Sequence, residues 1–486
     1  MGQTSGNTFY DADIQGLTSD SRRVQPGYLF AALEGSETDG REFIPDAINR
    51  GAVAVLVSPG TQVAGMDHGA DQSVSMLTAR NPRRRYATLA SRFYQPQSQH
   101  TAAVTGTNGK SSVVDFTRQI WTAIGLKAAS LGTLGVVAPD SELKVPAPAN
   151  LTTPDPADLH ASLKSLAEVG VDHVILEASS HGLDQYRLDG VKVSVAAFTN
   201  LSRDHLDYHG SLDEYFAAKL RLFSDIVSAG GVAVLNADDA HFEALRQTAE
   251  TRRQRVVSYG REGEDIRLLN LQVTPHGQIL DLSILGRKKT VTLPLIGGFQ
   301  AMNSLCALGV ILAEDGDTGE ALAALAGLNG VRGRLELAVH HPSGAGIYVD
   351  YAHTPDALEN VLVALRPHTG GMLKTVFGCG GDRDSGKRPE MGEVAQRLAD
   401  EIFVTDDNPR SEDAAAIRRE IMQGCPRVLE IGDREQAIAE AVNGLAADDI
   451  LVIAGKGHEQ GQIIGDEVRP FDDAAVARKI VEGVKS

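Results

Sequence analysis

Residues 101–121 leave this chain few ways to fold. An apolar run, Thr101 to Val104, reads as a strand and Ser111 through Trp121 as a helix, so Gly106-Thr-Asn-Gly109 forms the turn between them. A turn of that kind at a helix N-terminus aims backbone N–H groups at anionic oxygens and marks a nucleotide-phosphate site. Lys110 is then placed to reach the β- and γ-phosphates, and the hydroxyl of Ser111 to ligate magnesium. The longer pattern G-x-x-x-x-G-K-[ST] has glycine where this chain has Val104, so the match is the shorter G-T-N-G-K-S. The expected nucleotide is ATP or GTP.

The same alternation of strand and helix extends along most of the 486 residues, a length that suits about three domains. Residues 1–98 mix short strands, Tyr28 to Leu33 and Ala52 to Val57, with turns, and end in the polar Tyr94-Gln-Pro-Gln-Ser-Gln-His100. Residues 99–331 alternate helices with the strands Val171 to Leu176, Val193 to Phe198 and Gly231 to Leu235, predicting a mostly parallel sheet. Residues 332–486 restart the pattern at Gly346 to Asp350, Thr375 to Cys379, Ile402 to Thr405, Val428 to Ile431 and Ile450 to Ala454. The expected fold class is α/β in three domains: a small N-terminal one, a central phosphate-loop sheet and a Rossmann-like C-terminal one. A balance of 46 basic against 64 acidic residues, without a basic block, argues against nonspecific nucleic-acid binding. Three cysteines without C-x-x-C spacing suit a reducing cytoplasm, and no apolar run reaches 18 residues.

In parallel sheets ligands gather beyond the carboxyl ends of the strands, and the polar signatures fall there. Glu177-Ala-Ser-Ser-His-Gly-Leu-Asp-Gln-Tyr-Arg187 puts an acid where it can face the phosphate loop, and Thr199-Asn-Leu-Ser-Arg-Asp-His-Leu-Asp-Tyr-His-Gly210 offers His205, with Asp204 and Asp207 to orient it. On residue types alone, a metal site and a capped loop fit equally. Ser211-Leu-Asp-Glu214 is a capping box opening a helix whose apolar face, Tyr215, Ala218, Leu222 and Phe223, includes Lys219. Pattern alone favours a lysine that snorkels to the edge of that face; burial would instead lower its pKa and allow the neutral amine to form a carbamate with carbon dioxide. Asn303, Arg334 and Asp350 sit in segments that read individually as turns or caps. In the last domain, Arg388 and Arg410 with Asp407, Asn408 and Glu459 suit a small zwitterion, because a guanidinium pairs bidentately with a carboxylate.

Together G-T-N-G-K-S at 106–111, E-A-S-S-H-G-L-D-Q-Y-R at 177–187, T-N-L-S-R-D-H-L-D-Y-H-G at 199–210, Y-F-A-A-K at 215–219, D-Y-A-H-T-P at 350–355, G-D-R-D-S-G-K-R-P at 381–389 and D-N-P-R at 407–410 resemble the Mur ligases. The resemblance runs from Thr18-Ser-Asp-Ser-Arg22 to Phe471-Asp-Asp473, nearly the whole chain. It implies an ATP-dependent peptide ligase of cell-wall synthesis, cytoplasmic and monomeric, that makes an acyl phosphate on UDP-N-acetylmuramoyl-L-Ala-D-Glu and joins it to an amino acid. It further implies that Gly106, Thr107, Asn108, Gly109, Lys110, Ser111, Ser112, Asn303, Arg334 and Asp350 serve ATP. Ser111, Glu177 and His205 match the ligands of Mg2+, and Lys219 the carbamylated lysine, against the snorkelling that pattern favours. Ser19, Ser21, Ser36, Glu37, Thr38, Leu151, Thr152, Thr153, Ser179, Gln185 and Arg187 match positions that hold the UDP-muramoyl-peptide. Arg388, Asp407, Asn408, Pro409, Arg410, Gly455 and Glu459 match the acceptor site, and the D-N-P-R arginine implies meso-diaminopimelate, whose distal carboxylate it would pair, as acceptor. The alternatives are a lysine-adding member of the family and, more distantly, a folylpolyglutamate synthase-like ligase. Gln300, Arg332 and Leu151 depart from the family pattern.

Overall fold

The computed structural model describes residues 13–35, 38–61, 74–139, 151–314, 316 and 318–485. They form two compact units, one drawn from residues 1–110, 125–235 and 239–257, the other from 111–124, 236–238 and 258–486. No described helix is long and apolar enough to cross a membrane.

The first unit opens with four parallel strands in sequence order, β1 (Gly16–Thr18), β2 (Tyr28–Ala31), β3 (Ala54–Val57) and β4 (Ser75–Thr78). Their alternating side chains feed two small cores, Phe30, Val55 and Val57 with Ile44 on one face, Leu17, Leu29 and Leu56 with Tyr86 on the other. Tyr86 lies on the helix Pro82–Phe93, which Asn81 caps by accepting from Arg84 N–H. The expected boundary near residue 98 falls inside this unit, and carboxylates from further along bind back across it. Asp155 accepts from Ser19 Oγ and the Tyr86 hydroxyl, both at 2.7 Å, and Asp158 takes a two-pronged pair from Arg23.

Then come β5 (His100–Thr105), β6 (Ala128–Gly132), β7 (Gly135–Val137), β8 (His173–Glu177), β9 (Val195–Phe198) and β10 (Val232–Asn236), in the spatial order β10-β9-β5-β8-β6-β7. All pairs are parallel except β6 with β7. β5 lies between β8 and β9, with Val104 opposite Glu177 and Thr105 opposite Phe198. The acid-bearing and histidine-bearing segments therefore leave the sheet on either side of the phosphate loop.

In the second unit, Tyr259 and Gly260 of β11 (Arg255–Gly260) pair with β12 (Ile266–Thr274), which continues as an antiparallel meander through β13 (Gly277–Ile284) and β14 (Arg287–Leu293). The expectation of a mostly parallel sheet does not extend to this stretch. The remaining strands are β15 (Glu336–His340), β16 (Gly346–Asp350), β17 (Leu373–Phe377), β18 (Glu401–Val404), β19 (Leu429–Glu430) and β20 (Ile450–Ala454), ordered β15-β16-β20-β17-β18-β19 with only β15 antiparallel. β17 ends two residues before the expected Cys379, whose thiol packs 3.6 Å from the Met391 sulfur in the core. A hairpin, β21 (Gly461–Ile464) and β22 (Glu467–Pro470), follows.

Candidate functional site

The loop after β5 is held from the side by the segment after β9. Thr107 N–H donates to Asn200 O at 2.8 Å and Asn108 N–H to Asn200 Oδ1 at 3.0 Å, while Thr199 Oγ1 donates to Asn108 O at 2.6 Å. Gly106 has φ 144°, and a Cβ there would sit 1.9 Å from Thr199 Oγ1, so only glycine permits the approach. Gly109 completes the turn at φ 86°, and the helix Lys110–Ala123, carrying Ser111 and Ser112 in its first turn, starts immediately after it.

Two ammonium groups meet on this loop. Lys110 Nζ donates to the carbonyls of Gly106 at 3.0 Å and Thr107 at 2.8 Å, and Lys219 Nζ donates to the same Gly106 oxygen at 2.7 Å. Ser211 caps the helix Leu212–Arg221, as the capping box predicts, but Lys219 does not snorkel: it is 1% exposed, with Nζ 4.2 Å from the centre of the Tyr215 ring. Burial, reinforced by the Lys110 charge, pushes its pKa well below the ordinary lysine value.

Glu177 is 3% exposed at the end of β8. Its oxygens accept from Thr133 N–H at 2.8 Å and Thr133 Oγ1 at 3.2 Å, and among the described residues no cation pairs with it. An anionic carboxylate buried on two neutral donors is under-compensated, which fits a cation ligand. His205 lies on the other side of the loop with left-handed backbone, φ 52°, and its Nε2 is 3.5 Å from Asp204. The side chain of Asp207 lies outside those described.

Five of the residues matched to the muramoyl-peptide, Thr152, Thr153, Ser179, Gln185 and Arg187, share one hydrogen-bonded network. Thr153 Oγ1 donates to Glu177 O and accepts from Ser179 N–H, while Arg187 donates to Thr153 O and Gln185 Oε1, both at 2.7 Å. Gln185 donates to the Tyr208 hydroxyl, which donates to Asp184, and Thr152 lies 3.2 Å from Thr133 through their hydroxyls. Leu151 is exposed, Ser21 is buried in the turn after β1, and Thr38 O accepts from Gly35 N–H at 3.0 Å. Ser36 and Glu37 lie outside the described residues.

Within the second unit, Asp350 is buried and accepts from Leu335 N–H at 2.7 Å and Ala352 N–H at 2.8 Å; burial pushes its pKa up to about 6, although the Arg334 charge opposes this. The Arg334 guanidinium lies 4.9 Å from the Tyr351 ring centre. Asn303 Nδ2 donates to Gln300 Oε1 at 2.9 Å, so glutamine at 300 supplies an acceptor for that amide. Arg332, another departure from the pattern, pairs with Asp472 at 2.6 Å.

The residues matched to the acceptor lie on the loops after β18 and β20, with Arg388 in the first turn of the helix Lys387–Leu398 that follows β17. Arg410 has φ 51°, donates through Nη1 to Gly381 O at 2.8 Å, and is tied by its backbone to Ile463 and Gly465. Asn408 is buried; its Oδ1 accepts from Lys456 Nζ at 3.0 Å and Ile463 N–H at 2.9 Å, and its Nδ2 donates to Glu459 Oε2 at 2.9 Å. Gly455, at φ 110°, leaves room for Asp407 Oδ2, which a Cβ would meet at 2.6 Å. Pro409 O accepts from Glu412 N–H. Arg388 differs from expectation. It is 1% exposed and spends its terminal nitrogens on Glu420 at 2.8 Å, Glu412 at 2.9 Å and Gly380 O, so it braces the loop from beneath and offers no open fork. Thr133, Lys456 and the buried pair Arg434–Asp473 were not singled out from sequence. Only the flanking glycines of Gly455-Lys-Gly457 hinted that Lys456 is turned inward.

Models of the Mur ligase family match the chain in three places: the family's catalytic domain at residues 13–94, the middle domain at 104–311 and the glutamate ligase domain at 333–457. A UDP-N-acetylmuramoyl-L-alanyl-D-glutamate–2,6-diaminopimelate ligase of Zymomonas mobilis is 49% identical over 97% of this chain and 95% of its own length. The chain belongs to the Mur ligase family. A Caulobacter vibrioides protein of the same name is 50% identical over 98% of this chain and 96% of its own. A solved structure of such a ligase superposes with a TM-score of 0.71 at 33% identity, covering 97% of this chain and 96% of that one. Folylpolyglutamate synthase of Mycobacterium tuberculosis, complexed with ADP, shares the fold at 22% identity and a TM-score of 0.61, over 77% of this chain and 91% of its own.

Proposed function

We propose that this Mur ligase adds meso-diaminopimelate to UDP-N-acetylmuramoyl-L-alanyl-D-glutamate at the expense of ATP, in the synthesis of the peptidoglycan precursor. The observation that carries the reading is the likeness of the whole chain to diaminopimelate ligases, at 47–50% identity across the relatives compared, joined to an arginine at 410, two residues past the Asn408 that donates to Glu459. A guanidinium and a carboxylate suit the carboxylate and ammonium of an amino-acid end, and lysine as acceptor lacks the distal carboxylate.

The reaction runs in two steps. The D-glutamyl carboxylate attacks the γ-phosphorus of ATP and ADP leaves, giving an acyl phosphate. The acceptor amine then attacks the acyl carbon, an amide bond forms, and inorganic phosphate and a proton are released. Lys110 swings from the loop carbonyls to the transferring phosphoryl group and offsets its negative charge. Glu177, His205 and Ser111 suit Mg2+, which would supply charge neutralisation at the phosphates. Burial beside Lys110 biases Lys219 toward its neutral amine, and in that form it adds to carbon dioxide with loss of a proton, giving a carbamate that balances the Lys110 charge. Asn303, Arg334 and Asp350 are assigned to the nucleotide, and Thr152, Thr153, Ser179, Gln185 and Arg187, with Ser19, Ser21 and Thr38, to the UDP-muramoyl-dipeptide.

Phosphate release from ATP tests this reading. It is expected only with both the UDP-muramoyl-dipeptide and diaminopimelate present; equal turnover with lysine, or turnover without an acceptor, refutes it.

A further inference from the structure

The acceptor loops contain an ammonium that the reaction does not use. Lys456 follows β20 and is fully buried, 0% exposed. It donates to Gly461 O at 2.6 Å, to Asn408 Oδ1 at 3.0 Å and to Glu459 Oε2 at 3.4 Å. A buried lysine normally costs stability unless its charge is compensated, and here the compensation comes through Asn408 and Glu459. With Lys456 and Ile463 N–H both donating to Oδ1, the Asn408 amide can adopt only one of its two flips. That flip turns Nδ2 onto Glu459 Oε2, the oxygen Lys456 also approaches. Both protein donors thus fall on one oxygen of Glu459, and among the described residues none reaches Oε1.

We infer that Lys456 is a positioning residue that, through the Asn408 amide, fixes the Glu459 carboxylate with one oxygen satisfied and the other presented to the ammonium at the acceptor's distal end. The inference rests on the reading of Glu459 as part of the acceptor site. Lys456 touches no substrate; it decides which atom of the pocket accepts. Without it Ile463 N–H alone holds the amide oxygen, Glu459 Oε2 loses one of its two donors, and the orientation of the carboxylate loosens. Discrimination for the distal amine should fall before the chemistry does.

The readout is the ratio of KM for 2-aminopimelate, which keeps the distal carboxylate but lacks the distal amine, to KM for diaminopimelate, in wild type, Lys456→Met, Asn408→Ala and the double variant. Wild type should favour diaminopimelate by about 10- to 100-fold, the scale of a hydrogen bond to a charged group. Each single variant should bring the ratio within a few-fold of unity with KM for ATP unchanged, and the double variant should add nothing further. If Lys456→Met does not fold, Asn408→Ala alone decides, because it cuts the same connection. A single variant that keeps the wild-type ratio, or additive losses in the double variant, overturns the proposal while leaving the diaminopimelate reading standing; a wild type that does not turn over diaminopimelate removes that reading itself.

Discussion

The phosphate loop and the acceptor loops both crowd cations against backbone carbonyls, and they resolve the crowding differently. On the phosphate loop Lys110 and Lys219 share the Gly106 carbonyl, and Glu177 is buried on two neutral donors of Thr133. In the acceptor loops each buried cation meets carboxylates: Arg388 meets Glu412 and Glu420, Lys456 meets Glu459, and Arg434 meets Asp473 with both oxygens at 2.7 Å. The first region is charge-frustrated in the free protein and, on the proposed function, is completed by what it binds. The second is built in advance, so that the selectivity proposed for it would come from geometry already in place.

The largest effect should follow from removing Lys110, the cation of the frustrated region that we assign to the nucleotide. Lys110→Ala should lower kcat by about 10³-fold or more, on the scale of removing a preorganised electrostatic stabiliser, while leaving the melting temperature within a degree or two, since the partners described for it are neutral loop carbonyls. A large stability loss with modest loss of kcat would reverse the contrast between the regions. Lys219→Ala should be nearly as inactive, and small carboxylates such as formate or acetate should restore part of its turnover by replacing the carbamate. The same additives should do nothing for Lys110→Ala; equal rescue of both variants would show that the anion is not specific to position 219.

In the prebuilt region the effect should appear in binding. Arg410→Ala should raise KM for diaminopimelate by about 10- to 100-fold, the loss of a charge-assisted hydrogen bond, with little change in KM for ATP. Steady-state kinetics with each substrate varied in turn checks this. Parallel changes in both constants would mean that Arg410 holds the loop rather than the ligand, a role its bond to Gly381 O could support.

What the sequence revealed follows the range of the interactions. Strand–turn–helix order and the Ser211 cap depend on neighbours within a few residues, and they were legible. Lys219 was legible as a residue on an apolar face, but its burial depends on the Gly106 carbonyl, 113 positions away, so pattern pointed to the surface. Arg388 was read as open to ligand because Glu412 and Glu420 reach it from a loop and a helix that sequence cannot orient. The β12–β14 meander did carry a signal: Leu280 to Ile284 alternates, and its burial alternates with it, between turns at Pro275-His276 and Leu285-Gly286. The α/β alternation on either side masked that change of period.

The smallest effect tests the frustration directly, through stability instead of rate. Because burial and the Lys110 charge hold the Lys219 pKa well below its ordinary value, the folded chain binds that proton less tightly than the unfolded chain does. The stability missing for that reason is recovered as pH rises toward the ordinary lysine range, where both states are deprotonated. Lys219→Met keeps the apolar packing and lacks the proton. In buffer freed of carbon dioxide it should melt above wild type at pH 7, by roughly 2–4 °C for a gain near 1 kcal/mol, and the two curves should converge as pH is raised toward 10. Carbon dioxide restored at neutral pH should narrow the gap by stabilising wild type alone, since only the lysine can form the carbamate that balances Lys110. A variant that melts below wild type at pH 7, or a gap independent of pH, would mean that the Gly106 carbonyl compensates the buried ammonium by itself, and the contrast with the acceptor loops would fail.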